Sequence, residues 1–304
     1  MRKFARHIHT ANPDGSFLCA AAGALLGLER LSDAVMRKRR LGLAGLLAGL
    51  MALLVAVFAR PAGSRDAILN IDGQNLHIEI LGKSGPAVVF EAGLGNGTST
   101  WQRVAGPVAT FAQVVLYDRA GLGQSLPMVA KNSAVTADEV ATRLHGLLAA
   151  ADLRPPYVLV GHSLGGLYVQ MFSKKYPREV QGVVLLDSSS TQAPSELKTR
   201  ARLEPGSAAY LEEEGIAESN TQVGNGGSFP DVPLTVIAAT DHGPFFKEWE
   251  PTLMQLQRRL ATLSPQGTLI VAEGSGHDIQ LDRPATVIDA IKRMLTGKID
   301  TTNP

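Results

Sequence analysis

The stretch from residue 157 to residue 176 constrains this chain most. Tyr157, Val158, Leu159 and Val160 form a short apolar run that reads as a buried strand, and Gly161-His162-Ser163-Leu164-Gly165-Gly166 follows it without a spacer. Beyond it, Leu164, Leu167, Tyr168, Met171 and Phe172 recur at helical spacing until Pro177 ends the pattern. The G-x-S-x-G pattern therefore falls on a strand-to-helix turn, where small flanking residues allow a sharp bend that lifts the Ser163 hydroxyl above a sheet.

The rest of the chain extends that unit into an alternation. Residues 76–80 alternate apolar and polar side chains at period two and, with apolar runs at 87–90, 114–117, 183–186, 234–238 and 268–272, read as further strands; residues 137–151, 253–263 and 285–295 read as helices. Alternating strands and helices imply a mostly parallel, doubly wound sheet covered on both faces, with ligand chemistry at the carboxyl ends of the strands. Residues 188–232 interrupt the pattern with Ser, Pro, Glu and Gly and one helix expected near 209–218. A gap of that length inside a compact α/β domain reads as a small cap over a site rather than a bare loop.

The N-terminal region differs in character. Residues 1–40 carry eight Lys/Arg against three Asp/Glu, which leaves the other 264 residues with 21 against 25. The body is thus mildly acidic and offers no basic patch for nucleic acid. Arg37, Lys38, Arg39 and Arg40 run into residues 41–59, which hold no charge. Nineteen residues make about 28 Å of helix, close to the roughly 30 Å of a bilayer core. The segment is expected to be a transmembrane helix or signal anchor, with the basic tail in the cytoplasm and the domain at 66–304 across the membrane. Cleavage after Val57-Phe58-Ala59 is the alternative and would leave a secreted or periplasmic body. Met36 is a second plausible start. Cys19, the sole cysteine, excludes an internal disulfide framework and a cysteine-based metal site.

A serine hydroxyl is a poor nucleophile at neutral pH unless a base takes its proton, and His277 is the candidate: it follows the last strand in a loop with Gly274 and Gly276. His77 and His145 are read as residues without chemistry.

Three segments carry a resemblance to the α/β-hydrolase superfamily: residues 117–125 (Tyr-Asp-Arg-Ala-Gly-Leu-Gly-Gln-Ser), the elbow at 161–166, and Gly274-Ser275-Gly276-His277 followed by Leu281-Asp282-Arg283-Pro284. The resemblance spans about residues 68–295 and implies a serine hydrolase with Ser163 as nucleophile and His277 as general base, then acid. It also implies an oxyanion hole from the backbone N–H groups of Leu94 and Leu164, although Glu91-Ala92 stands where many relatives have a histidine. For the triad acid it leaves two candidates. Asp187, after the strand that follows the elbow helix, matches a minority position and is preferred; Asp241, after the penultimate strand, is the alternative and arrives one residue early for the customary pattern. Asp118, Arg119 and Asp282 are read as supports of the site loops. The reaction implied is acyl transfer from a small-molecule carboxylic ester through an acyl-enzyme, with no metal or organic cofactor. Thioester, amide or carbon–carbon hydrolysis, or a binding protein without turnover, are the rival readings.

Overall fold

A computed structural model describes residues 64–82, 85–127, 133–194 and 202–297. The expected membrane segment at 41–59, Cys19 and both candidate starts lie outside the described residues. Among the described residues no helix is long and apolar enough to cross a membrane.

Eight strands form one sheet in the order β1-β2-β4-β3-β5-β6-β7-β8. They are β1 (Arg65–Ile71), β2 (Gln74–Leu81), β3 (Ala87–Glu91), β4 (Gln113–Tyr117), β5 (Tyr157–His162), β6 (Val180–Leu186), β7 (Leu234–Ala239) and β8 (Gly267–Ala272). The first two pair as an antiparallel hairpin, and β2 runs antiparallel to β4; every other pairing is parallel. Asp72 and Gly73 turn the hairpin with φ of 50° and 83°, the left-handed pair that matches the twist of adjoining strands.

Central strands read as unbroken apolar runs because both faces are covered. Val89, Val115, Leu159, Leu185 and Val236 pack on one side, against helices α2 (Ala137–Ala150) and α3 (Leu164–Lys175). Val88, Phe90, Val114, Leu116, Val160, Val184 and Ile237 pack on the other, with Trp101, helix α1 (Ala105–Ala109) and the C-terminal α8 (Pro284–Thr296). Successive side chains point to opposite faces, so each strand contributes to both cores.

The cap differs from expectation. Instead of one helix near 209–218 it forms two, α4 (Ala208–Glu214) and α5 (Ile216–Asn225). The break falls at Gly215, where a Cβ would lie 1.8 Å from the Val135 carbonyl oxygen, so the two helices meet where the loop before α2 presses on them. Val135 N–H donates to Leu211 O at 2.8 Å, binding that loop to α4. Helix α6 (Glu250–Ala261) precedes β8, and a short helix α7 (Ile279–Asp282), unmarked by periodicity in the sequence, carries the chain from the histidine loop into α8.

Candidate active site

Ser163 occupies the bend between β5 and α3 with φ 53° and ψ −122°, a region that non-glycine residues adopt only under strain. The surroundings fix it there. Its N–H donates to Leu186 O at 3.1 Å, and its carbonyl accepts from the N–H groups of Gly166 and Ser189, both at 2.9 Å. Close passage of α3 over β3 explains the glycine after the bend: a Cβ on Gly165 would stand 2.3 Å from Glu91 O and 2.4 Å from Ala92 O. Leu164 opens α3, and the first N–H groups of a helix have no partner within it.

The loop after β3 lies against this bend. A Cβ on Gly93 would meet Ser163 Cβ at 3.2 Å and His162 Nδ1 at 3.0 Å, so Gly93 passes directly beside the serine. Arg119, buried under the loop, donates to Ala92 O at 2.8 Å and Gly93 O at 2.7 Å. The same guanidinium pairs with Glu91 at 2.6 Å and with Glu212 of cap helix α4 at 2.6 Å. Burial opposes the charge on Arg119, but the two carboxylates outweigh it and hold the group firmly cationic; burial raises Glu91, whose carboxylate also accepts from Tyr117 OH. Glu212 adds a bond from Gly95 N–H at 2.9 Å, so the cap reaches the loop directly. Sequence reasoning missed Glu212: beside Glu213 and Glu214 it reads as part of a solvated acidic face.

Asp118, wholly buried, accepts from Thr98 N–H at 2.7 Å and Gln124 N–H at 3.0 Å, and contacts His77 Nδ1 at 2.8 Å. It thereby ties the loops after β3 and β4 together, the supporting role expected of it. His77 bridges Asp118 to Asp66, a structural link the alternating strand pattern did not reveal. His145, read from the sequence as a residue without chemistry, is half-exposed, stacks on Tyr176 at 4.1 Å and meets Glu179 at 3.1 Å.

His277 Nδ1 lies 2.6 Å from Asp187 Oδ2. The ring of His277 sits 4.7 Å from that of His162, the neighbour of Ser163, and His162 Nε2–H donates to the His277 carbonyl at 3.0 Å. His162 is nearly fully buried, which lowers its pKa to about 4, with the adjacent His277 acting in the same direction. Asp282 accepts from Gly276 N–H at 2.8 Å and holds the histidine loop, as anticipated. Asp241, the other acid candidate, instead accepts from Gly243 N–H at 3.1 Å and closes its own turn. The structure thus brings Asp187 to His277 and leaves Asp241 outside that contact.

A second imidazole, unforeseen from the sequence, shares the acid. His242 Nε2 lies 2.7 Å from the same Asp187 Oδ2, and its Nδ1 lies 2.9 Å from Glu250 Oε2. Burial would lift Asp187, but hydrogen bonds from His242 and His277 overcome it and hold the carboxyl well below the usual carboxylate range. His242 is pushed up to about 9: burial acts against its charge, and the bonds to Asp187 and Glu250 prevail. Asp187, His242 and His277 present ligand-type atoms all within 4.8 Å of one another. Donors around a zinc ion, each about 2.0 Å from it, stand roughly 3.3 Å apart; the 2.6 and 2.7 Å contacts here are the spacing of shared protons.

Five of these residues lie just past the carboxyl end of a strand: Gly93 after β3, Ser163 after β5, Asp187 after β6, His242 after β7, His277 after β8. A family model for the alpha/beta hydrolase fold matches residues 86–211. The uncharacterized protein YqjL of Bacillus subtilis is 32% identical over 236 residues, spanning 73% of this chain and 88% of that protein. A Yersinia enterocolitica protein named as a putative carbamate hydrolase, RutD, is 31% identical over 144 residues, 45% of this chain and 51% of its own length. Among solved structures, a thermophilic esterase from Thermogutta terrifontis superimposes with a TM-score of 0.62 at 19% identity over 77% of this chain and 98% of that one, a likeness of fold. With the elbow, the strand order and these similarities together, the chain belongs to the α/β-hydrolase fold family.

Proposed function

We propose that this protein is a serine hydrolase acting on a carboxylic ester or a related acyl substrate through Ser163, His277 and Asp187. The observation that carries the reading is the 2.6 Å contact between Asp187 Oδ2 and His277 Nδ1, in a loop packed beside the strained serine bend. In this mechanism His277 Nε2 takes the proton of Ser163 Oγ as that oxygen bonds to the substrate carbonyl carbon. The N–H groups of Leu94 and Leu164 hold the resulting oxyanion, which is worth several kcal/mol in such sites. His277 then hands its proton to the leaving alcohol as the ester bond breaks. Water attacks the acyl-enzyme with His277 again as base, releasing the carboxylic acid and restoring Ser163. Asp187 accepts from His277 Nδ1–H throughout, fixing the tautomer and stabilising the imidazolium.

A fluorophosphonate probe tests the reading: labelling of the wild type that vanishes in Ser163→Ala supports it, and a folded wild type that stays unlabelled refutes it. Because one relative bears the name of a carbamate hydrolase, a panel of acyl esters, thioesters, amides and carbamates is the way to sort substrate class. We also propose that residues 41–59 tether this domain to a membrane, on the strength of their uncharged length behind four basic residues. Full-length protein recovered in the alkaline-washed membrane fraction would support the tether, and full release by the wash would oppose it.

A further inference from the structure

His242 touches a carboxylate with each ring nitrogen, Asp187 at 2.7 Å and Glu250 at 2.9 Å. A neutral imidazole carries one N–H, so in that form one of these contacts would set a nitrogen lone pair against carboxylate oxygen lone pairs. Only the imidazolium donates at both ends. The His242 side chain is 8% exposed, and the three groups come from separate places in the chain: Asp187 just past β6, Glu250 from the first residue of α6, and His242 itself from the turn after β7. Asp187 Oδ1 is engaged separately by Ala239 N–H at 3.3 Å, which leaves Oδ2 to both imidazoles.

We propose that His242, clamped between Glu250 and Asp187, is a positioning residue of the hydrolase site: its imidazolium aims Asp187 Oδ2 at His277 and offsets part of the charge that this carboxylate presents to the base. The proposal rests on the Ser163–His277–Asp187 reading. Its consequence is a base that sheds its proton at lower pH than it would beside an uncompensated carboxylate. The charged and titratable groups around the pair are Asp187 from β6, His162 from β5, Asp278 on the histidine loop, Glu250 from α6 and Asp241 on the loop of His242. His162 is held neutral near pH 7 and Asp241 is turned into its own loop, so His242 is the cation that faces Asp187 besides the base itself. The rings of His242 and His277 are 6.1 Å apart. At that separation a unit charge in a protein environment moves a titration by about one to two pH units.

Proton NMR titration of the full chain carrying Ser163→Ala, with and without His242→Gln, reads the effect without any substrate. The midpoint of His277 is expected to move up by about one unit or more in the His242→Gln protein. In the protein with Ser163 intact, the acid limb of kcat/KM is expected to move up in step. A loss of kcat/KM that is uniform across pH, with the His277 midpoint unmoved, would overturn the proposal and leave His242 a packing residue. Should His242→Gln fail to fold, Glu250→Gln at the half-buried start of α6 decides the same point. The His242 midpoint then drops by a unit or more if Glu250 helps to hold its proton, and an unchanged midpoint refutes the clamp. Fluorophosphonate labelling of the wild type judges the parent reading separately, since the titration shifts do not depend on Ser163.

Discussion

Replacing Arg119 by methionine tests how the loop after β3 is held. The change keeps most of the side-chain length and removes five donated bonds: to Glu91 Oε1, Glu212 Oε1 and Oε2, Ala92 O and Gly93 O. Arg119 is 6% exposed and its two glutamates 1% and 2%, so water cannot replace the lost cation. Breaking such a buried pair typically costs about 3–5 kcal/mol. An independent route gives the same size. If one orphaned glutamate folds protonated, neutralising it at pH 7.5 costs about 1.4 kcal/mol for each of roughly three pH units above its ordinary pKa, or about 4 kcal/mol; at pH 5.5 the same step costs less than about 2 kcal/mol. The sign follows from a folded-state carboxyl pKa raised above the unfolded one: the penalty is full at high pH and shrinks as pH falls. Urea unfolding followed by tryptophan fluorescence, using the buried Trp101 that packs on Phe90, is the assay. The expected result is a loss of about 4 kcal/mol against wild type at pH 7.5, narrowing by roughly half at pH 5.5. A loss below about 1 kcal/mol, or one independent of pH, would refute the account of Arg119 as a loaded buried bridge.

Four further outcomes can be measured. Asp187→Asn is expected to cut kcat by several orders of magnitude while Asp241→Asn stays within a few-fold, because only the former contacts His277; comparable losses in steady-state rates would contradict the triad. At position 163, glycine relieves the φ of 53° that alanine retains, so Ser163→Gly should exceed Ser163→Ala in stability by about 1 kcal/mol, and a less stable glycine variant in thermal melts would argue against strain at the bend. Stability should fall as pH drops from about 6.5 towards 4, since His162 stays neutral in the folded protein while the unfolded chain takes up a proton. His242 works the other way: its folded pKa is raised to about 9, so its contribution is complete below about pH 6.5 and is lost as pH rises through 9. Stability curves of wild type and His242→Gln that run parallel across that alkaline window would disprove it.

What was legible in the sequence is what neighbouring residues encode together. The bend at Ser163, the glycines around it and the apolar runs on either side are local, and so are the strand ends that deliver Asp187 and His277. Topology then follows from the alternation, and the sheet is the mostly parallel one expected. Side-chain partnerships across the chain left no such trace. His242 meets Asp187 across 55 positions and Gly95 meets Glu212 across 117, with no spacing rule to announce either. The split of the expected cap helix at Gly215 was likewise hidden, because it depends on where the Val135 carbonyl comes to lie rather than on helix propensity.

Asp187 is also the first residue past β6 as the chain leaves the sheet for the cap, with Ser188 and Ser189 already bonded to α3 and α6 side chains and to the elbow carbonyl. In the proposed triad, the acid and the start of the cap therefore meet at one point of the chain. A lineage that reshaped its cap to admit a new substrate would tug on the acid in the same stroke, and an imidazolium pinning that acid from the adjacent strand end insulates the chemistry from such remodelling.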